Sequence, residues 1–298
     1  MHLLSAIDVH KHYASHTALR GVTLHVPERS IFGLLGPNGA GKTSLIRIIT
    51  QITGADQGEL RFMGEPLQPK HALQMGYLPE ERGLYKKMRV GEQLLYLGQL
   101  KGLSKAEARS RLDYWVQRFG MEQWWKKQVG DLSKGMQQKV QFVATVLHKP
   151  SLIILDEPFS GFDPVNAGLI QAEIQRLAAE GATIIFSTHR METVEELCDY
   201  IVMLHRAEKV LDGPKRAIKE QFRSHTYEVE VDRPLRLPLP DGCELLEQDP
   251  AQGRYRIRLA DSGPNALLRA IMDQGATLRL LREHAPSMND IFISLAQR

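Results

Sequence analysis

The chain has 298 residues, of which 43% are hydrophobic and 24% charged, with a formal net charge of +3. This is ordinary globular composition, and it excludes a disordered or collagen-like chain. Apolar runs are short, such as Leu152-Ile153-Ile154-Leu155, whereas a membrane-crossing helix needs about 18 apolar residues.

The first ten residues carry Asp8 and no long apolar core, so no secretory signal is expected. Ile31-Phe32-Gly33-Leu34-Leu35 reads as a buried strand that runs into a glycine loop. Leu45, Ile48 and Ile49 then mark a helix. Residues 90–120 read as helical, with Val90, Leu94 and Leu97, then Leu112, Trp115, Val116 and Phe119, at helical spacing. Met136, Val140, Val143, Ala144 and Leu147 mark another amphipathic helix. Residues 152–155, 182–186 and 200–204 read as buried strands, with a helix through Ile170, Ile174 and Leu177 between the first two. That alternation predicts a parallel sheet with right-handed crossovers.

No lysine follows Lys219, and residues 221–298 hold ten arginines against eleven acids. This shift places a boundary between domains at 1–220 and 221–298. Neither part is basic enough for a nucleic-acid footprint, so no nucleic-acid partner is expected. Pro234, Pro238 and Pro240 predict an irregular connection. Residues 227–231 and 255–259 alternate like half-exposed strands, and a helix near 266–272 makes the tail a small α+β domain. Cys198 and Cys243 form no metal-like pair and point to a reducing, cytoplasmic setting.

Three segments carry chemistry. Gly36-Pro37-Asn38-Gly39-Ala40-Gly41-Lys42-Thr43 fits the phosphate-loop pattern G-x-x-x-x-G-K-[ST] between a strand and a helix. Its glycines let backbone N–H groups turn toward phosphates, and the helix N-terminus favours the anion. Lys42 would reach the β and γ oxygens, and the Thr43 hydroxyl would ligate Mg²⁺. The strand ending in Asp156-Glu157 places one acid where Mg²⁺ is held and the next where an attacking water is polarised. His189 follows the strand at 182–186.

Leu132-Ser133-Lys134-Gly135-Met136 opens a helix and resembles the signature motif of ABC-type ATPases, usually Leu-Ser-Gly-Gly-Gln. Phosphate loop, signature, acid-tipped strand, Ser160-Gly161-Phe162-Asp163 and Ser187-Thr188-His189 then follow in that family's order across residues 1 to about 215. The resemblance implies an α/β P-loop ABC ATPase core: a parallel sheet, an antiparallel β subdomain and an α-helical subdomain at about 85–150. A small C-terminal α+β domain follows. It also implies ATP and Mg²⁺, with ATP clasped in a head-to-tail dimer (homodimer or heterodimer) that powers a separate transmembrane permease from the inner face of the membrane.

Residue by residue, the resemblance assigns Gly36, Pro37, Asn38, Gly39, Ala40, Gly41, Lys42, Thr43 and Ser44 to the phosphates, with Tyr13 stacked on adenine. Ser133 and Gly135 would serve the partner's nucleotide, and Asp163 would couple the two sites. Lys42, Glu157 and His189 would be catalytic, and Thr43, Asp156 and Glu80 would hold the metal. Glu80 stands where the family usually has glutamine, and Met136 cannot donate as a glutamine would. The acid at 80, Leu-Ser-Lys-Gly-Met and the tail Pro286-Ser287-Met288-Asn289-Asp290-Ile291-Phe292 resemble the sodium- and drug-export subgroup. Trp115 is expected in the helical subdomain's core. Trp124, Trp125 and Tyr96 are candidates for a groove that receives the permease.

Overall fold

The computed structural model describes residues 1–298 apart from 82, 160–163, 261–262 and 297–298. The chain divides into two compact units, Met1–Lys215 and Arg216–Arg298.

The first unit opens with a hairpin of β1 (His2–Tyr13) and β2 (His16–Pro27). Alternate side chains face inward, which buries Leu4, Ala6, Leu24 and Val26. The turn sets Tyr13 opposite His16. β3 (Ile31–Leu35) is buried along its whole length, as a strand covered on both faces must be. It leads into α1 (Lys42–Ile49), whose Leu45, Ile46 and Ile49 pack into the same core as the hairpin. β4 (Gln57–Phe62) and β5 (Glu65–Pro66) complete an antiparallel sheet in the order β2-β1-β4-β5. β6 (Met75–Leu78) then starts the edge of a second sheet.

Three helices follow: α2 (Val90–Leu100), α3 (Lys105–Phe119) and α4 (Lys134–Val146). The helical stretch expected over 90–120 is therefore broken in two. Ser104 and Glu107 form a reciprocal capping box that starts α3 anew, a signal present in the sequence as Ser-x-x-Glu. Trp115 lies in the core of this block. It stacks on Phe119 with centroids 5.5 Å apart, and Phe142 of α4 meets both rings edge-on.

β7 (Leu152–Asp156), α5 (Pro164–Ala179), β8 (Thr183–Thr188), α6 (Met191–Leu197), β9 (Tyr200–His205) and β10 (Glu208–Pro214) complete the first unit. The six-stranded sheet runs β10-β9-β3-β8-β7-β6, parallel except for β10. The strand–helix–strand alternation thus gives the expected parallel sheet. Its consequence is that β3, β6, β7 and β8 all end at one edge, where ligands of such sheets bind. Glu173 of α5 is fully buried and takes Arg118 of α3 at 2.5 Å and Arg176 at 2.8 Å, tying the helical block to the sheet.

In the second unit, α7 (Lys215–Gln221) begins at the boundary and leads into β11 (Thr226–Val231), β12 (Cys243–Asp249), β13 (Arg254–Leu259), α8 (Asn265–Asp273), β14 (Leu278–Glu283) and α9 (Met288–Ala296). The antiparallel sheet has the order β12-β13-β11-β14. Val229, Val231, Ile257 and Leu259 face inward onto Leu267 and Ile271 of α8. The outward face is a lattice of Arg–Glu pairs, including Arg254–Glu230 and Arg256–Glu247, each at 2.7 Å. β12 is absent from the sequence reading because a register shift between Leu245 and Glu247 breaks its alternation.

Candidate functional site

The phosphate loop joins β3 to α1. Gly41 has φ 107, and a Cβ there would lie 2.3 Å from the Ala18 carbonyl of β2. Only glycine permits both the left-handed turn and this approach, so the loop closes against the hairpin. Lys42 is buried and folds back over the loop, donating to Gly36 O at 2.7 Å and Pro37 O at 3.1 Å. Burial pulls its pKa below the ordinary lysine value, while the charges of Glu157, Asp156 and Glu80 act against that pull. A phosphate would give this ammonium the anionic partner that two neutral carbonyls replace here.

The acids come from the next strand but one. Asp156 ends β7 and pairs in register with Ser187 of β8, whose hydroxyl donates to its carboxylate. Thr43 Oγ1 stands 3.5 Å from the other carboxylate oxygen. Burial raises the Asp156 pKa, and the Ser187 hydrogen bond opposes the rise. Hydroxyl and carboxylate therefore converge beside open space as two hard oxygen donors. This donor set fits Mg²⁺, which keeps most of its shell from water and phosphate.

Glu157 leaves the strand at φ 47, its N–H donating to Ser187 O at 3.1 Å. The turn points its side chain at the end of β8. There Oε1 lies 2.8 Å from His189 Nδ1, and Oε2 accepts from Thr188 Oγ1 at 3.3 Å. Two successive acids at the tip of β7 are thus held by three successive residues at the tip of β8. The roles of Ser187 and Thr188 were not read from the sequence; the signal for them was a pair of hydroxyls at the tip of an otherwise apolar strand.

These groups border one cavity of about 360 Å³. Its walls include Tyr13, His16 and Ala18 of the hairpin, the acids Glu80, Asp156 and Glu157, and His189. The phosphate loop and the start of α1 contribute Asn38, Gly39, Gly41, Lys42, Thr43 and Ser44. Tyr13 is 40% exposed, with Lys11 Nζ 5.4 Å from its ring centroid, so the ring is not a core residue. His16 and Ala18 are additions that the sequence reading lacked.

Ser133 and Gly135 do not border this cavity. Ser133 is the exposed N-cap of α4, its Oγ accepting from Met136 N–H at 3.3 Å. Lys134 is exposed beside it. Asp163 lies outside the described residues.

A second depression of about 330 Å³ lies between β6, α2 and α4, with Tyr77, Pro79, Leu97, Leu100 and Ala144 on its walls. Tyr85 and Tyr96 are exposed and meet edge-to-face at 6.4 Å. No tryptophan is among the residues that line this depression. Trp125 instead fills the space over Gly91 beneath Arg109, and Trp124 is half-buried beneath Lys139. Aromatic content is visible in a sequence, but which helix face carries it depends on packing. Among the described residues no helix is long and apolar enough to cross a membrane.

A phosphate loop at the carboxyl edge of a parallel sheet, faced by an acid-tipped strand and backed by a helical block, defines a P-loop nucleotide-binding protein. Residues 19–160 match the ABC transporter family, and residues 213–296 match the C-terminal domain of DrrA1-3-like ATP-binding proteins. The chain is 40% identical over 291 residues to the uncharacterized ABC transporter ATP-binding protein YhaQ of Bacillus subtilis, covering 98% of this chain and 97% of that one. It is 36% identical over 212 residues to the ABC transporter ATP-binding protein NatA of the same organism, covering 70% and 86%. A solved ATP-binding subunit of an ABC transporter superposes with a TM-score of 0.70 at 33% identity, covering 74% of this chain and 93% of that one. The chain belongs to the family of ABC transporter ATP-binding proteins. Membership implies ATP binding and hydrolysis.

Proposed function

We propose that this chain is the ATP-hydrolysing subunit of an exporter whose permease is a separate membrane protein. ATP lies along the cavity, with adenine on Tyr13 and the γ-phosphate between Lys42 and Glu157. Thr43 and Asp156 would hold Mg²⁺, with Glu80 as a further carboxylate toward it, and the ion would supply charge neutralisation at the phosphates. Glu157, oriented by His189 and Thr188, accepts a hydrogen bond from the attacking water and takes its proton as the new oxygen–phosphorus bond forms and the bond from the γ-phosphorus to the β–γ bridging oxygen breaks, with ADP leaving and inorganic phosphate as the other product. Lys42 stays protonated and binds the charge that develops on the β and γ oxygens.

A second copy completes each site, head to tail, by offering Ser133 and the N–H groups near Gly135; Asp163 couples the two sites. The exposure of Ser133 at a helix start, away from its own chain's cavity, supports this arrangement. The permease docks against the helical subdomain, where the depression beside Tyr85, Tyr96 and Leu100 offers apolar surface, and it holds the chain at the inner face of the membrane. The region 221–298 serves as an accessory interaction domain. Export is supported by relatives such as the Nod factor export ATP-binding protein I of Cupriavidus metallidurans, 31% identical over 303 residues and covering 99% of this chain and 98% of that one.

The observation that carries the reading is the Glu157 carboxylate, held from both oxygens at the γ end of a phosphate-loop cavity. The test compares two variants by equilibrium ATP binding and by light scattering. Lys42→Ala should lose ATP affinity, whereas Glu157→Gln should bind ATP and accumulate as a dimer. A Glu157→Gln chain that stays monomeric with saturating ATP, beside a fully active parent that is also monomeric, overturns the proposal.

A further inference from the structure

β6 is the edge strand of the parallel sheet, paired with β7 on one side only. Its outer carbonyls have no strand to receive them, and such groups rarely stay unpaired when covered. The helix α4, which opens at Ser133, covers them. Gln141 Nε2 donates to Pro79 O at 3.3 Å, Thr145 Oγ1 lies 3.3 Å from Tyr77 O, and His148 Nε2 lies 3.1 Å from Met75 O. Gln141 and Thr145 fall at i and i+4 on one face of α4 and His148 follows in the turn after it, while the three carbonyls belong to alternate residues along β6 and the residue just past it.

The two spacings are comparable, and the side chains span the difference. Seven helical residues rise about 10 Å, and four residues of strand span about 13 Å. Backbones also meet: a Cβ on Gly76 would lie 2.3 Å from Thr145 O, so only glycine lets α4 sit this close. Lys101, the C-cap of α2, adds a further tie, donating to Ala72 O and Met75 O at 2.7 and 2.9 Å. This side-chain-to-backbone ladder ends at Pro79, the residue before Glu80.

We propose that Gln141 is a positioning residue that fixes Glu80 to the signature helix, so that the γ-phosphate end of one site and the Ser133 offered to the other move as one piece. The inference rests on the two-site reading above. The Gln141–Pro79 end of the ladder adjoins Glu80, and the helix that carries Gln141 begins eight residues earlier at Ser133. Placement of Glu80 in its own site is therefore tied to placement of Ser133 in the neighbour's. Small displacements at such a joint are costly, since a misplacement of about 1 Å near the chemistry removes on the order of 10²-fold in rate.

The test uses the full chain with Gln141→Met, which keeps length and removes the donor. ATP affinity, steady-state hydrolysis and melting temperature are measured, and a cycle is closed with Glu80→Gln. Expected are ATP affinity within about twofold of the parent, kcat lower by about tenfold and a Hill coefficient for ATP reduced toward one. Expected also is a double variant no slower than the slower single one, as for groups acting as a unit. Unchanged kcat and Hill coefficient, or losses that multiply independently, overturn the assignment. Should Gln141→Met unfold at the assay temperature, Thr145→Val decides. Reduced kcat at unchanged affinity supports the ladder, and unchanged kcat refutes it. A parent chain that never dimerises with ATP sinks the two-site reading itself, a different outcome from a cooperative parent matched by its Gln141 variant.

Discussion

His189 Nδ1 lies 2.8 Å from Glu157 Oε1, although the two residues are 32 positions apart and leave the tips of neighbouring strands. The contact orients the carboxylate. Glu157→Gln should lower kcat by about 10²–10⁴-fold, the range for removing a general base. His189→Ala should lower it less, and the double variant should be no slower than Glu157→Gln alone, because the pair acts together. Steady-state rates of the three variants check this; independent losses would separate the residues.

Tyr13 presents a half-exposed ring to the cavity that the acids also line. Base stacking on an aromatic contributes about 1–3 kcal/mol. Tyr13→Ala should therefore raise KM for ATP by about 5- to 100-fold with little change in kcat, and Tyr13→Trp should restore it. Equal KM values for Tyr13→Ala and the parent would remove the adenine role.

Glu80 adds a third carboxylate beside Asp156 and Glu157 around the Lys42 ammonium. As a hard oxygen donor it should strengthen the hold on Mg²⁺. Glu80→Gln should shift the Mg²⁺ concentration for half-maximal hydrolysis upward by about threefold or more. If Mg²⁺ titrations of the two proteins overlay and transport is unaltered, Glu80 is no metal ligand.

His148 is buried beside Met75, and burial, helped by the Lys101 and Arg111 charges, pushes its pKa from 6.5 down to about 4. The native chain therefore binds fewer protons than the unfolded chain between these values. The associated stability is fully present above pH 6.5 and disappears as pH falls toward 4, to the extent of about 3 kcal/mol. Urea midpoints at pH 7.5 and 4.5 should differ more for the parent than for His148→Asn. An equal difference in both proteins would assign the acid sensitivity elsewhere.

Glu173 has no exposed surface and holds Arg118 of α3 and Arg176 of α5. Removing one partner of a buried ion pair is strongly destabilising, but both guanidinium groups here retain solvent. Glu173→Ala should cost about 2–3 kcal/mol and Arg118→Ala about 1 kcal/mol, read from urea unfolding. A smaller loss for Glu173→Ala than for Arg118→Ala would show that the carboxylate does not join the helical block to the sheet.

Local chemistry was legible wherever one continuous segment carried it. Gly36 to Thr43 announces its own loop, and Leu152 to Glu157 announces a buried strand with acids at its tip. The parallel sheet followed from the alternation of strand and helix. Less legible were segments whose role depends on neighbours. The bulged strand at Cys243–Asp249 has no clean period, and Trp124 and Trp125 gave no sign of being half-covered.

The amino-acid order alone thus determined the phosphate loop and the two acids at the tip of a buried strand, because backbone turns, helix dipoles and strand ends are decided by adjacent residues. Only the tertiary structure decided that Ser187 holds Asp156, that Thr188 and His189 hold Glu157, and that Gln141 meets Pro79. Those meetings depend on strand order and on how closely α4 approaches β6. Both arise from pairing distant segments, and no spacing along the chain encodes them.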